Sequence, residues 1–301
     1  MAGISGVFAA AITPRREGPE IDLAAAFELI DFLCRSGVDG IALLGSTGEF
    51  PHFSLEERSR LVSLALKRSR VPIVAGVGHS TFDGALTLAR EAADAGAAAV
   101  LLMPPYFFRY GQDDVKEFYL RFAERLKGVV PVFLYNIPKF TSPIACETSL
   151  QLLETGQFAG IKDSSAIWED FEQLAAARRK LPFALFAGHD SLFARARAAG
   201  ADGIVSGIAS AVPELLVALD RAIRQGEADR TQALDARLRE FLDWVVLAPA
   251  PAIIRKAAAV RGLKTGEPAS PPGPESRRKL DEFGEWFRGW LPLVEKECSR
   301  A

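Results

Sequence analysis

The stretch FAGIKD, residues 158–163, is a short apolar run that ends in a charged residue, Lys162. Similar short runs recur along the chain and alternate with amphipathic segments, a pattern typical of a parallel sheet whose faces are covered by helices. A lysine at the end of such a strand is poorly solvated, so its neutral amine, a nucleophile toward carbonyl carbon, becomes accessible. The alternative is a solvated lysine at a strand terminus.

Eight strand–helix units can be counted outward from this stretch. The strands are predicted at residues 4–8, 38–44, 72–77, 97–103, 130–135, 158–162, 183–187 and 203–206. Eight units with a period of roughly 25 to 30 residues are expected for a (β/α)8 TIM barrel. An open doubly wound sheet is the competitor, but the Gly-x-Gly at residues 76–78 lacks the third glycine of a dinucleotide-binding loop. We therefore predict an α/β fold, a closed barrel, and no nucleotide cofactor.

The helical pattern differs between the two ends of the chain. Within the barrel, Asp22 is predicted to cap the first helix, and Ser54 with Glu57 form a capping-box pair that opens the second. After residue 225 the pattern is helical throughout, with helices predicted at residues 233–247, 252–261 and 275–291. These patterns divide the chain into a barrel, residues 1–224, that carries the active site, and a C-terminal helical region, residues 225–301, packed on it.

Composition excludes several functional classes. The chain has 301 residues, is 49% apolar and 25% charged, and carries a net charge of −2. This balance gives no electrostatic footprint for nucleic acid or an anionic membrane surface. No uncharged apolar run approaches the roughly eighteen residues that a membrane helix needs. Small neutral or anionic substrates remain compatible with the composition.

Cysteine and histidine spacing predicts neither a disulfide framework nor a metal site. Cys34, Cys146 and Cys298 are far apart in the sequence and form no C-x-x-C pair. The three histidines also lack the H-x-x-H and H-E-x-x-H spacings of zinc enzymes; they are His52, His79 and His189. We expect a cytoplasmic protein without a catalytic metal.

Polar residues follow five of the predicted strands. They are the GSTGE turn at residues 45–49, Tyr135 at the end of the fifth strand, Lys162 at the end of the sixth, GHD at residues 188–190 and VSG at residues 205–207. In a barrel, the carboxyl ends of the strands form the active site. The sequence therefore predicts that a lysine, a tyrosine and two hydroxyls meet at one mouth.

These groups suit carbonyl chemistry. A neutral Lys162 amine would attack a ketone and form an iminium, which withdraws electrons from the neighbouring carbon. Tyr135 would move protons to and from this centre, and backbone N–H groups of Ser46, Thr47 and Gly48 would hold an α-carboxylate. The structural alternatives are a core aromatic at Tyr135 and an ordinary glycine-bounded turn at residues 45–49.

The segments TP (13–14), GSTGE (45–49), YNIP (135–138), GIKD (160–163) and ADG (201–203) occur in this order. They resemble the dihydrodipicolinate synthase and N-acetylneuraminate lyase family of pyruvate-dependent class I aldolases. The resemblance covers essentially the whole barrel. It implies activity without a cofactor, and a homotetramer built from tight dimers.

The same resemblance implies residue roles. Lys162 would be the Schiff-base lysine and Tyr135 the proton donor and acceptor, while Ser46 and Thr47 would relay protons and hold the pyruvate carboxylate. Two further positions would line the keto-acid pocket, Gly188 and Val205. Three residues are interpreted as structural rather than catalytic: Asp163, Arg255 and Lys256.

Departures from the family pattern concern the aldehyde side of the site. Relatives that make dihydrodipicolinate have an arginine where this chain has Phe140, and a phenyl ring cannot hold a carboxylate through two hydrogen bonds. They also have an interface tyrosine where this chain has Phe107, so the relay loses a hydroxyl unless Tyr106 or Tyr110 replaces it. Sialate lyases carry an acidic residue where this chain has Ser191 and a serine where it has Gly207, so both positions argue against sialate.

The aldehyde half of the predicted site is therefore aromatic, and its candidate residues are Phe107, Phe140, His189 and Gly207. The leading hypothesis is a lyase that adds pyruvate to an aldehyde or cleaves a 2-keto acid, such as a 2-keto-3-deoxy sugar acid. The alternative within the family is condensation of pyruvate with aspartate semialdehyde. A third hypothesis, motivated by Phe107, is a keto-acid-binding protein without catalytic activity.

Overall fold

The computed structural model describes residues 4–248 and 251–299. Residues 1–3, 249–250 and 300–301, which the two predicted regions include, lie outside the described residues. The described chain forms one closed barrel of eight parallel strands in sequence order. The strands are β1 (Gly6–Ala10), β2 (Gly40–Leu43), β3 (Ile73–Gly76), β4 (Ala99–Leu102), β5 (Val132–Asn136), β6 (Gly160–Asp163), β7 (Ala184–Ala187) and β8 (Gly203–Ser206). The predicted (β/α)8 TIM barrel is confirmed.

Helices alternate with the strands and then continue past them. The barrel helices are α1 (Leu23–Arg35), α2 (Leu55–Arg68), α3 (Phe82–Asp94), α4 (Gln112–Leu126), α5 (Cys146–Glu154), α6 (Trp168–Ala177), α7 (Phe193–Ala198) and α8 (Pro213–Gln225). Three more follow β8 and α8: α9 (Ala228–Val245), α10 (Ala252–Val260) and α11 (Pro274–Cys298). The boundary between a barrel and a separate C-terminal region stays a prediction.

Local capping signals fix the starts of the first two helices. The Asp22 side chain accepts a hydrogen bond from the Ala25 N–H at 3.1 Å. Ser54 and Glu57 form the reciprocal capping box, with the Glu57 N–H donating to Ser54 Oγ at 3.2 Å. Both caps satisfy N–H groups that a helix start leaves without partners, and both were predicted.

Two of the three C-terminal helices, α9 and α11, are longer than the sequence pattern predicts. Helix α9 begins at Ala228 rather than at residue 233, because its first turn is polar and gives no apolar periodicity. Helix α11 continues beyond residue 291 and through Pro292 to Cys298. Val294, which is fully buried, lies in this added segment. Burial of that side chain offsets the hydrogen bond that the proline removes.

Aromatic rings fill the barrel below the site. The Phe186 ring lies edge-on to the rings of Phe8 and Phe133, with centroids 5.6 and 6.0 Å away. Glycine makes room for them: a Cβ at Gly40 would lie 2.0 Å from the Phe8 ring, and one at Gly160 would lie 2.6 Å from the Phe133 ring. This packed floor keeps the barrel interior closed beneath the carboxyl ends of the strands.

No helix in the part of the chain that the structure describes is long and apolar enough to cross a membrane.

Candidate active site

Lys162 and Tyr135 are neighbours across two adjacent strands. Lys162 on β6 pairs in register with Tyr135 on β5. The Lys162 ammonium nitrogen lies 4.2 Å from the centroid of the Tyr135 ring. Both residues are buried, with only 4% and 1% of their surfaces exposed. The amine is thus held at the carboxyl ends of the strands, where it is placed to attack a bound carbonyl group.

The Tyr135 hydroxyl is linked to the GSTGE turn. Tyr135 Oη lies 3.0 Å from Ser46 Oγ, and either group can donate the hydrogen bond. The structure therefore brings together the lysine, the phenol and the first hydroxyl of the turn, which come from three different strands. This chain of groups can pass a proton from the amine side of the site to the turn.

The GSTGE turn is fixed by the end of β1 and lies against the end of β8. Thr13 Oγ1 donates to the Gly48 carbonyl oxygen at 2.8 Å, and this contact is buried. Thr47 lies beside Gly207: a Cβ at Gly207 would come within 2.9 Å of Thr47 Oγ1 and within 3.1 Å of Ile254 Cδ1. Any side chain at residue 207 would therefore crowd the turn.

Gly188 and Val205 both adjoin Lys162. A Cβ at Gly188 would lie 2.9 Å from Lys162 Cε and 2.0 Å from Ser164 Oγ. Val205 lines the same interior hollow as Lys162, next to Phe186. Both residues thus lie near the Lys162 side chain, and their place in a keto-acid pocket stays a prediction.

Asp163 links strands β5 and β6 on the side of the sheet that faces away from the Lys162 amine. Its carboxylate accepts hydrogen bonds from Asn136 Nδ2 at 2.8 Å and from Ser165 Oγ at 2.8 Å. Burial raises the pKa of Asp163, and these hydrogen bonds oppose that rise. Asn136 Oδ1 in turn accepts from the Ile144 N–H at 3.0 Å, which ties the following loop to the strand. The structural role predicted for Asp163 agrees with these contacts.

A second polar pair lies at the ends of β7 and β8. Ser206 Oγ donates to the carboxylate of Asp190. Burial raises the pKa of Asp190, while the Ser206 hydrogen bond and the charges of His189 and Lys162 lower it. His189 itself is exposed, and its Nδ1 lies 2.8 Å from Ser191 Oγ. The described geometry thus places His189 at the rim and Asp190 further inside.

The aromatic residues predicted for the aldehyde side are exposed in the isolated chain. Phe107 is 88% exposed and Phe140 is 50% exposed. The loops that carry them are joined by an antiparallel bridge between Tyr106 and Thr141. Within one chain, these rings therefore form a rim that reaches into solvent rather than a closed pocket wall.

Tyr106, one of the two tyrosines that could replace the missing relay hydroxyl, lies next to Ser80 and Arg58. Burial raises the pKa of Tyr106, while the charge of Arg58 and the Ser80 side chain oppose that rise. The Tyr106 ring packs edge-on against Phe50 at 5.7 Å. Tyr110 is 40% exposed.

Two buried arginines, Arg58 and Arg255, lie near the mouth of the barrel. The sequence did not identify either of them as a site residue. Arg58 donates to the carbonyl oxygens of Gly76 and Gly78 at 3.1 and 2.9 Å, and burial lowers its pKa to about 10. Arg255, expected to be a packing or rim residue, is 4% exposed and forms an ion pair with Glu49. Both lie on amphipathic helices, where an arginine gives no sequence signal that it is buried.

Among residues 4–248 and 251–299, no three His, Cys, Asp or Glu side chains are grouped so that they could hold a metal ion.

A buried lysine amine, a phenol and a hydroxyl-rich turn at the mouth of a (β/α)8 barrel define the class of Schiff-base-forming aldolases. The comparisons agree with this class. The sequence matches the dihydrodipicolinate synthetase family over residues 3–287. The chain belongs to that family of pyruvate-dependent class I aldolases and is a carbon–carbon lyase.

Relatives and solved structures cover nearly the whole chain. A 4-hydroxy-tetrahydrodipicolinate synthase of Chlorobium limicola is 32% identical over 86% of this chain and 88% of its own. One of Methanothrix thermoacetophila is 31% identical over 91% of this chain and 94% of its own. The structure of the enzyme of that name from Methylacidiphilum fumariolicum SolV superposes with a TM-score of 0.88, at 30% identity, over 98% of this chain and 99% of that chain.

Proposed function

We propose that the protein joins pyruvate to an aldehyde, or cleaves a 2-keto acid into these two products, through an iminium on Lys162. The observation that carries this proposal is the contact chain from the Lys162 amine over the Tyr135 ring to the Tyr135 hydroxyl and Ser46 Oγ. The test is to treat the protein with pyruvate and borohydride and to locate the reduced adduct by peptide mass spectrometry. An unmodified Lys162 in an active enzyme would exclude the proposed intermediate.

The first half-reaction makes the enamine. The neutral Lys162 nitrogen forms a bond to C2 of pyruvate, and the keto oxygen takes up a proton to give a carbinolamine. Tyr135 then donates a proton to the departing hydroxyl, which leaves as water, and the C–N double bond of the iminium forms. Tyr135, left as a phenolate by that transfer, then accepts a proton from C3, and the electron pair of the C–H bond forms the enamine.

The second half-reaction forms the carbon–carbon bond. C3 of the enamine attacks the aldehyde carbon, and the aldehyde oxygen takes a proton that the Tyr135–Ser46 pair can deliver. Water then adds to C2 of the iminium, and expulsion of the Lys162 amine releases the 2-keto acid. Cleavage runs through the same steps in reverse.

The pyruvate half of the site would be built by the GSTGE turn and the ends of β7 and β8. N–H groups of Ser46, Thr47 and Gly48 would hold the carboxylate, because a turn of this kind presents its donors to an anion. Gly188 and Val205 would bound the methyl and keto groups. Their proximity to Lys162 supports this assignment.

For the aldehyde half, we propose a polyhydroxylated aldehyde without a second carboxylate, so that the cleaved acid belongs to the 2-keto-3-deoxy sugar acids. Phe140 and Phe107 support this choice because neither offers a charged group to an anionic aldehyde, and the resemblance places both on this side. Gly207 and His189 would set the space and polarity of the outer part. The exposed cations Arg109 and Lys139 lie on the same loops.

Condensation of pyruvate with aspartate semialdehyde is the second candidate, because the relatives described above are named as 4-hydroxy-tetrahydrodipicolinate synthases. Phe140 separates the two candidates. We expect measurable cleavage of a 2-keto-3-deoxy sugar acid beside negligible turnover of aspartate semialdehyde. The reverse preference would establish the second candidate.

The substitution Phe140→Arg tests which residue discriminates between these aldehydes. Two charge-assisted hydrogen bonds to a carboxylate contribute about 1.5 to 3 kcal/mol each. We therefore expect this variant to raise kcat/KM for aspartate semialdehyde by at least tenfold, without raising it for the sugar acid. Phe108→Arg is the matched control, because it adds the same charge to a neighbouring exposed phenyl position. Equal effects of both substitutions would contradict a specific role for residue 140.

A keto-acid-binding protein without turnover is the third candidate, favoured by Phe107 where relatives have a tyrosine. It predicts that the borohydride adduct forms while no aldehyde is converted. The proposed lyase predicts both adduct and turnover, so the same two assays separate these candidates.

We also propose a cytoplasmic homotetramer built from tight dimers. The exposed aromatic rim of Phe107, Phe108 and Phe140 supports association, because clustered exposed rings of this size mark interaction surfaces. Free thiols at all three cysteines support a reducing compartment. Light scattering of the purified protein measures the assembly.

A side chain introduced at residue 188 would crowd the Lys162 side chain, which gives a further test of the site. Gly188→Ala would place a methyl group 2.0 Å from Ser164 Oγ and 2.9 Å from Lys162 Cε, so the side chains of both residues must move. A displacement near 1 Å costs about 100-fold in rate, which is the expected fall in turnover. The control is Gly289→Ala, where a Cβ meets nothing within 4 Å. A folded Gly188→Ala variant with wild-type turnover would contradict the assignment of residue 188 to the site.

A further inference from the structure

The GSTGE turn is held by a residue of the C-terminal helices as well as by the barrel. Arg255 on α10 donates from Nη1 to Glu49 Oε2 at 2.9 Å, across 206 residues of sequence. The same nitrogen donates to the Thr13 carbonyl oxygen at 3.0 Å. Both side chains of the ion pair are buried, with 5% of Arg255 and 11% of Glu49 exposed.

Glu49 and Thr13 are the two residues through which the turn is fixed. Glu49 ends the turn in the left-handed backbone region, with φ of 51°, and its N–H donates to the Ser46 carbonyl oxygen at 3.1 Å. A non-glycine residue adopts this conformation only where its surroundings hold it there. Thr13 binds the Gly48 carbonyl oxygen through its hydroxyl. Arg255 therefore contacts both supports of the turn at once.

Arg255 is itself anchored on its other side. Nη2 donates to the carbonyl oxygens of Thr265, Gly266 and Glu267, in the segment between α10 and α11. A planar guanidinium holds several donors in a fixed arrangement, so it can fix the positions of several acceptors at once. An ammonium on a flexible stem cannot. The geometry of the turn is thus coupled to the C-terminal helices through one side chain.

The same helix also contributes to the wall of the site. Ile254, adjacent to Arg255, has its Cδ1 3.1 Å from the position of a Cβ at Gly207, beside Thr47. Helix α10 therefore reaches the turn through the Arg255–Glu49 ion pair and lies beside Gly207 through Ile254.

We propose that Arg255 is a positioning residue that holds the GSTGE turn in the conformation that binds the pyruvate carboxylate. This inference rests on the proposed Lys162 iminium chemistry. Arg255 is assigned no contact with a substrate atom. It acts through Glu49 and Thr13, and its loss would weaken keto-acid binding while leaving Lys162 on its strand.

The test measures how the borohydride-trapped Lys162 adduct depends on pyruvate concentration. Arg255→Met removes the charge and the fork but keeps an unbranched side chain. We expect its half-saturating pyruvate concentration to rise by about tenfold or more, because small displacements of a binding group have effects of this size. The extent of trapping at saturation should match the wild type. Arg255→Lys should recover part of the loss, since it keeps the charge.

Arg261→Met is the matched control. Arg261 caps the C-terminus of the same helix and is largely buried, with 12% of its side chain exposed, but it pairs with Glu214 on α8 and with Glu295 on α11. We expect this variant to unfold at a lower temperature while keeping the wild-type half-saturating pyruvate concentration. A purely structural role for Arg255 predicts that both arginine variants behave in this way.

The outcomes separate the inference from the function on which it rests. A wild-type protein that gives no Lys162 adduct would contradict the proposed function. A wild-type adduct together with an unchanged half-saturation in folded Arg255→Met would overturn only the positioning role. If Arg255→Met does not fold, Arg255→Lys and Glu49→Gln are measured instead. A wild-type half-saturating pyruvate concentration in both variants overturns the inference. A higher half-saturating pyruvate concentration in either variant supports it.

Discussion

Replacing Lys162 with arginine should abolish turnover, with a fall of about 10⁴-fold or more, as is found when a covalent nucleophile is removed. Arginine keeps the positive charge and nearly the same length, but its guanidinium cannot be deprotonated in a protein and forms no iminium. Steady-state cleavage of the 2-keto acid measures the effect.

The matched control is Lys116→Arg. Lys116 lies on α4 and donates to Gln151 Oε1 at 2.7 Å, a contact that arginine can also make. This variant should keep wild-type turnover. Residual activity above about one per cent in Lys162→Arg would show that the reaction does not depend on an iminium at this residue, because loss of a covalent nucleophile leaves far less.

Replacing Tyr135 with phenylalanine should lower kcat by about 10² to 10⁴, the usual contribution of a positioned proton-transfer group. The ring stays over the Lys162 ammonium, and only the hydroxyl that contacts Ser46 is lost. Because the amine remains intact, the borohydride adduct should still form, although more slowly. Rapid-quench trapping and steady-state turnover measure the two effects separately.

Tyr119→Phe controls for the loss of a buried tyrosine hydroxyl. Tyr119 is fully buried and donates to the Leu102 carbonyl oxygen at 2.9 Å. Its removal should cost about 1 kcal/mol of unfolding free energy and leave turnover unchanged. If Tyr135→Phe lowers stability by a similar amount and turnover not at all, then Tyr135 is a core aromatic, as the structural alternative holds.

Strand order and the mouth of the barrel could be predicted because their signals are local. Each strand is a short apolar run, and eight such runs alternating with helices leave few topologies other than a closed barrel. Tyr135 and Lys162 each stand near the end of a run, so the rule for barrel active sites placed them together. Their registered pairing on β5 and β6 agrees with that prediction.

Contacts between distant segments could not be predicted. The Arg255–Glu49 ion pair joins residues 206 positions apart. Nothing in either sequence segment indicates that these two residues are partners. The extension of α11 through Pro292 depends on burial of Val294, which a local pattern that treats proline as a stop cannot anticipate. In both cases tertiary packing decides the structure, and the sequence pattern carries only the local preference.

The aldehyde side was predicted only in part. Departures from the family pattern identified Phe107 and Phe140, but not that both would be exposed in the isolated chain. Exposed rings such as Phe107 and Phe140 have few neighbours within their own chain, so an additional subunit would determine what surrounds them. We therefore expect the choice of aldehyde to depend on the homotetramer proposed above.

Peptide mapping after reaction with pyruvate and borohydride tests whether Lys162 forms the iminium. We expect one reduced pyruvyl group per chain, located on Lys162 and absent from Lys162→Arg. An adduct on another lysine, or an active enzyme whose Lys162 stays unmodified, would contradict it.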